Sequence, residues 1–150
     1  MGDAGRKLRA GATLACLYAI LAPAGDAAGQ IVHDGTLGPG GAVPGPDSVV
    51  TAENGTRAGA NLFHSFQEFN LGAGETATFT GPADIAHVVS RVTGGDPSTI
   101  DGVVRSTMPA ADFWFVNPAG IAIGPTGRFD VPAGLHLGAA DAVTFADGSA

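Results

Sequence analysis

Four histidines (His33, His64, His87 and His136) and a scatter of carboxylates are the side chains of this sequence that could ligate a metal or move a proton. A zinc site asks for such groups at short fixed spacings, for example two histidines bracketing a glutamate on one helix turn. No His-Glu-x-x-His is present and the histidines fall in separate segments, so each is expected to be a packed or surface imidazole. Ser65 follows His64, but a hydrolase nucleophile sits in a Gly-x-Ser-x-Gly elbow, which the flanking residues do not supply. Gly72, Gly74 and Ala77 fit a loose dinucleotide fingerprint. The β-branched run Thr76 to Thr80 that follows predicts a strand, so no helix N-terminus would face a pyrophosphate, and Glu75 would repel one. Gly94, Gly95 and Asp96 look like one glycine-aspartate calcium turn, but such sites need tandem copies. Asn54, Gly55 and Thr56 form a glycosylation sequon, which has meaning only in a eukaryotic secretory pathway. A polysaccharide-cleaving enzyme would need paired carboxylates across a groove, and Asp84, Asp96, Asp101 and Asp112, with Arg91 and Arg105, are the groups available. A glycan-binding module would instead use exposed rings, with Phe63, Phe66, Phe113 and Trp114 as candidates. Phe113 and Trp114 are neighbours in an expected strand and so point to opposite faces, which places at least one of them in the core.

The elements that would carry these groups are strands. Long helix-period stretches are nearly absent, and Gly, Pro, Asn and Asp clusters interrupt the chain every few residues. Strands are expected at Gln30 to His33, Ser48 to Ala52, Leu62 to Asn70, Thr76 to Thr80, Ile85 to Val92 and Thr99 to Val104. Further strands are expected at Asp112 to Val116, Ile121 to Ile123, Arg128 to Val131, Leu135 to Gly138 and Ala142 to Phe145. The spacing of Leu62, Phe63, Phe66 and Phe69 also suits an amphipathic helix, and the surrounding β-branched residues and glycines favour strand. From Ile85 onward the strands are joined by turns without an Asn-Gly hairpin signal, which suits a coil that turns corners and stacks each strand on its counterpart. At roughly 20 residues per coil this gives about five to six coils. A β-sandwich is the alternative on pattern alone.

Arg6, Lys7 and Arg9 stand ahead of an uncharged apolar run, Ala10 to Ala22, which is shorter than the roughly 20 residues of a membrane span. Small residues follow from Pro23 to Gly29. This is the pattern of a cleavable signal peptide over residues 1–29, with Ala27 and Gly29 favouring a cut between Gly29 and Gln30, and Ala22 and Ala24 offering an earlier one. Cys16 would leave with the leader, so the remainder has no thiol for a disulfide or a metal. From Gln30 onward four arginines and no lysine face twelve acidic residues, a formal charge of −8, which disfavours nucleic acid as a partner. No catalytic group, cofactor or metal is expected.

Four consecutive stretches carry a family resemblance: NLFHSFQEFNLGAGETATFTGP from Asn61, VVSRVTGGDPSTIDGVVRS from Val88, ADFWFVNPAGIAIGPTGRFDVP from Ala111 and ADAVTFADG from Ala140. Over Gln30 to Gly148 the chain resembles the haemagglutination-activity domain, the N-terminal secretion domain of filamentous-haemagglutinin-like adhesins exported by two-partner secretion. The resemblance implies a right-handed parallel β-helix over residues 30–150, without catalysis, that reaches the cell surface or medium through the periplasm. Its implied partner is the periplasmic part of an outer-membrane transporter, and glycan contacts would belong to the full-length protein. Because relatives continue further, the domain is expected to be cut short after Ala150. In this family an Asn-Pro turn is associated with transporter recognition, and here it falls at Asn117, Pro118, Ala119 and Gly120, with Ala119 where many relatives have a second Asn. Bottom-up, the same residues make a tight corner between Phe115 and Ile121: Pro118 presets φ, Gly120 tolerates positive φ, and Asn117 can bond the backbone two residues on. Asn70, before Leu71, is read in the same two ways.

Overall fold

Short runs with every second residue apolar, broken by glycine and proline corners, wind here into three sheets. The computed structural model describes residues 28–141. The basic segment Arg6 to Arg9, the apolar run Ala10 to Ala22 and the expected strand Ala142 to Phe145 lie outside the described residues. The strands are β1 (Ile31–His33), β2 (Gly41–Val43), β3 (Asp47–Val50), β4 (Thr56–Ala58), β5 (Asn61–Phe69), β6 (Thr76–Phe79) and β7 (His87–Val92). They continue with β8 (Ser98–Ile100), β9 (Val103–Ser106), β10 (Asp112–Val116), β11 (Ile121–Ile123), β12 (Arg128–Asp130) and β13 (Leu135–Gly138), and a single 3-10 turn covers Ala52–Asn54.

In the first sheet β5, β7, β10 and β13 stack in parallel. The second sheet stacks β3, β6, β9 and β12, also in parallel. The third pairs β8 with β11, and Leu71 bridges Ile100 at its other side. The chain visits the first, third and second sheets in turn, so each strand lies on its counterpart from the previous circuit. The expected all-β, parallel β-helix class is borne out as a solenoid of about four turns. It has fewer turns than the expected five to six because each circuit is longer: register partners Asn61 and His87 are 26 residues apart, His87 and Asp112 are 25, and Phe113 and Leu135 are 22. The N-terminal residues also do not coil. Strands β1 and β4 run antiparallel to β5, and β2 runs antiparallel to β1, covering the end of the first sheet.

Two expectations are corrected. Thr99 to Val104 is not one strand: the chain leaves the third sheet after Ile100 and enters the second at Val103, turning at Asp101 and Gly102. Strands β2 and β4 were not anticipated. Both lie among glycines, prolines and polar residues with no alternation, and their pairing with β1 and β5 alone makes them strands.

The ambiguous segment is strand β5. Its register against β1 slips between Val32 and His33, so Glu68 pairs with Val32, Phe66 pairs with His33, and Gln67 is left as a bulge. The extra residue lets Phe66 and Phe69, three apart, both face the core, which reproduces a helical spacing in extended chain. Phe66, Phe69, Phe79, Phe113 and Phe115 are fully buried. Their rings meet edge to face, with centroids 5.1 Å apart for Phe66 and Phe69, 4.9 Å for Phe69 and Phe115, and 4.8 Å for Phe79 and Phe113. Leu62, Val88 and Phe113, register partners on successive turns, form an apolar column beside them.

Candidate functional site

The corner that carries the chain from the first sheet to the third holds the candidate residues. After β10 ends at Val116, Asn117, Pro118, Ala119 and Gly120 form a turn closed by the Gly120 N–H donating to the Asn117 carbonyl at 2.9 Å. The Asn117 side-chain oxygen accepts from Ala119 N–H at 2.9 Å, the local bond that the residue type predicts. Gly120 has φ of +116°, a conformation that L side chains rarely adopt. The Asn117 amide nitrogen reaches back to the previous circuit, donating to the Asp96 carbonyl at 3.0 Å and to Ser98 Oγ at 3.0 Å. Its own N–H donates to the Gly138 carbonyl of the next circuit at 2.9 Å. Asn117 is 1% exposed. It fastens three circuits together, and only Pro118 and Ala119 stand exposed at the tip.

Asn70 occupies the same corner two circuits earlier, directly after β5. Its side-chain oxygen accepts from Thr99 N–H at 2.8 Å, and its own N–H donates to the Gln30 carbonyl at 2.8 Å. The two asparagines therefore do the same work at one corner, joining a circuit to its neighbour, but they face different hollows. Asn70 lines a groove of about 510 Å³ together with Gly29, Gln30, Glu68, Thr99 and Asp101. Asn117, Pro118 and Ala119 line a smaller cleft of about 130 Å³ with Arg91, Thr93 and Asp141. The structure brings Gly29, Gln30 and Asn70 together and sets Asn117, Pro118 and Gly120 apart from them.

Sequence reasoning missed two interactions. Glu75, read only as a group that would repel phosphate, accepts from both Gly72 N–H and Gly29 N–H at 2.7 Å on one oxygen. Asp34, just after β1, accepts from Ser65 Oγ at 2.5 Å, Thr93 Oγ1 at 2.8 Å, Thr36 N–H at 2.9 Å and Thr36 Oγ1 at 2.7 Å. Partial burial pushes its carboxyl up, and these donors outweigh that and hold it at about 2. Arg91 Nε donates to the same Ser65 Oγ at 3.1 Å, so the network latches the N-terminal strands to β5 and β7. The Glu75 bond to Gly29 and the Asp34 bonds to Ser65 and Thr93 join residues 46, 31 and 59 positions apart, and no local spacing announces them.

Asp84, Arg105, Asp101 and Asp112, considered for chemistry, are engaged elsewhere. Asp84 pairs with Arg57 at 2.6 Å, and Arg105 with Asp130 at 3.0 Å. Asp101 accepts from the Thr126 N–H at 2.9 Å and hydroxyl at 2.8 Å, and Asp112 from Gly134 N–H at 2.7 Å. Of the rings considered for glycan stacking, Phe63, Phe66 and Phe113 are buried. Trp114 lies on the opposite face from Phe113, as its neighbouring position requires, and stacks on His136 with centroids 3.8 Å apart and planes 12° from parallel. His33 and His64, placed in different strands, come within 6.4 Å of one another, ring to ring, inside the N-terminal end of the coil.

The family model for the TPS secretion domain matches residues 29–150. No curated protein matches the chain, and no solved structure does.

Proposed function

The chain belongs to the TPS secretion domain family, and we propose that it is the region of a two-partner-secretion exoprotein that an outer-membrane transporter recognises in the periplasm and passes to the cell surface. The observation that carries this reading is the extent of the match, residues 29–150, which takes in every strand of the solenoid. After removal of a basic, apolar leader, the chain crosses the periplasm without stable folding and docks by adding a strand edge to the transporter's sheet. It is then threaded outward, and folding at the surface biases the movement. Two features support this order of events. Beyond the leader the sequence has no cysteine that could lock it early. Within the sheets, the parallel strands pair with the strand one circuit away, so the coil can grow turn by turn as chain emerges.

In this reading the transporter touches Pro118 and Ala119 at the tip of the Asn117 to Gly120 turn, whose own bonds are local and can form before the coil does. The Asn117 and Asn70 bonds between circuits hold the corner after folding. Co-expression of the full chain with its transporter tests it. Ala119→Arg adds a charged side chain at an exposed position and should cut the extracellular yield several-fold, with precursor processing and the melting temperature of the purified protein unchanged. Asn117→Ala should lower yield and melting temperature together. Normal export of Ala119→Arg would remove the tip from the contact.

A further inference from the structure

Gly29 lies where the expected leader meets the folded domain, and the structure gives it a domain residue's role. Its N–H donates to Glu75 Oε2 at 2.7 Å, and Gly72 N–H donates to the same oxygen at 2.7 Å. One residue on, the Gln30 carbonyl accepts from Asn70 N–H at 2.8 Å. Residues 29 and 30 thus lie along the Asn70 to Glu75 corner, held at consecutive positions. The fit admits glycine alone: a Cβ at residue 29 would stand 2.6 Å from Leu71 Cα and would also overlap the Asn70 carbonyl and the Glu75 carboxylate. None of those backbone atoms can swing away. Losing residue 29 would leave the partly buried Glu75 carboxylate with one of its two amide donors.

We infer that signal peptidase cuts on the N-terminal side of Gly29, so that the mature protein keeps Gly29 and its bond to Glu75 and does not begin at Gln30. The inference rests on the export reading above and identifies its processing site. Small side chains at −3 and −1 also suit cuts upstream, with Ala22 and Ala24 releasing Gly25, or Gly25 and Ala27 releasing Ala28. The small-residue rule by itself does not choose among these and the cut after Gly29. The packing around Gly29 favours a cut that keeps it, because only a chain retaining Gly29 can form both Glu75 bonds once it folds.

The test is the intact mass of the mature protein recovered from the periplasm of a Gram-negative host expressing the full chain. A mass that includes Gly29, beginning at Gly25 or Ala28, is expected. A chain beginning at Gln30, with or without loss of ammonia from the N-terminal glutamine, would overturn the inference and leave the export reading standing. An uncleaved chain would overturn both. Gly29→Ala separates the cuts a second time, because alanine is a good −1 residue. A cut after residue 29 would release a mature protein identical in mass and melting temperature to the unsubstituted one. The inferred cut gives a mature protein heavier by one methylene group that melts at lower temperature, as Glu75→Ala also should.

Discussion

Residue by residue, the polar side chains of this protein are fasteners between circuits. Asn117, Asn70, Glu75 and Asp34 each bond across a gap of nineteen residues or more. The buried histidines His33 and His64 are the exception: burial lowers the pKa of each, most strongly for His64. Burial, and then the neighbouring His33 imidazole, pull the His64 pKa from 6.5 to about 4, against a smaller opposing pull from the Asn54 backbone. Because the folded state disfavours the proton, this contribution to stability is complete above pH 6.5 and is lost as pH falls toward 4, where the unfolded chain binds the proton first. At 1.36 kcal/mol per pKa unit the loss is roughly 3 kcal/mol. Denaturant unfolding of the purified domain at pH 7 and at pH 4.5 should show it, and His64→Phe should flatten most of the difference. Asp34 acts lower on the scale: its depressed pKa contributes stability above 3.8 that is lost as pH falls toward 2. The Asn-Pro turn was legible from residue types because its chemistry is local. The Gly29 to Glu75 bond spans 46 positions and was not.

Among the elements, β5 carries the most structure and was the hardest to read. Leu62, Phe63, Phe66 and Phe69 looked half helical because one bulged residue changes the period from two to three in mid-strand. Deleting Gln67 leaves Phe66 and Phe69 two apart, the spacing of an unbulged strand, so both should still face the core. The deletion should cost no more than about 1 kcal/mol, against about 3–5 kcal/mol for Phe69→Ala, read from denaturant midpoints. A deletion as costly as Phe69→Ala would show that the bulge does not set which way Phe69 faces. Short apolar segments bounded by turn residues were legible to the residue, as at Asp112 to Val116 and Leu135 to Gly138. Strands defined by a neighbour, β2 and β4, were not.

For the whole molecule, stability should be graded along the coil axis. Strands β5, β7 and β10 have a strand on each side, whereas β2 and β13 end the first sheet among the described residues, and Leu135 and Leu137 of β13 are 40% and 42% exposed. Hydrogen exchange should therefore be slowest in β5, β7 and β10 and fastest in β2 and β13. Uniform protection across the sheet would contradict a stack held by nearest-neighbour pairing. The coil was legible as a class, because short apolar strands joined by corner turns have few other solutions. Its number of turns was not, because circuit length depends on how far each corner reaches.

The all-β class, the position of most strands, the chemistry of the Asn117 to Gly120 turn and the family resemblance could all be read from the residues alone. Each of these is written in neighbouring residues, through alternation, β-branching and turn propensity. The packing of the coil is what buries Asn117 while Pro118 and Ala119 face solvent, runs β1, β2 and β4 antiparallel at the N-terminal end, and bonds the Gly29 N–H to Glu75. Those facts depend on which circuit packs against which. Stacking brings together residues some 20 to 60 positions apart, a distance at which one strand's sequence carries no mark of the strand that will cover it.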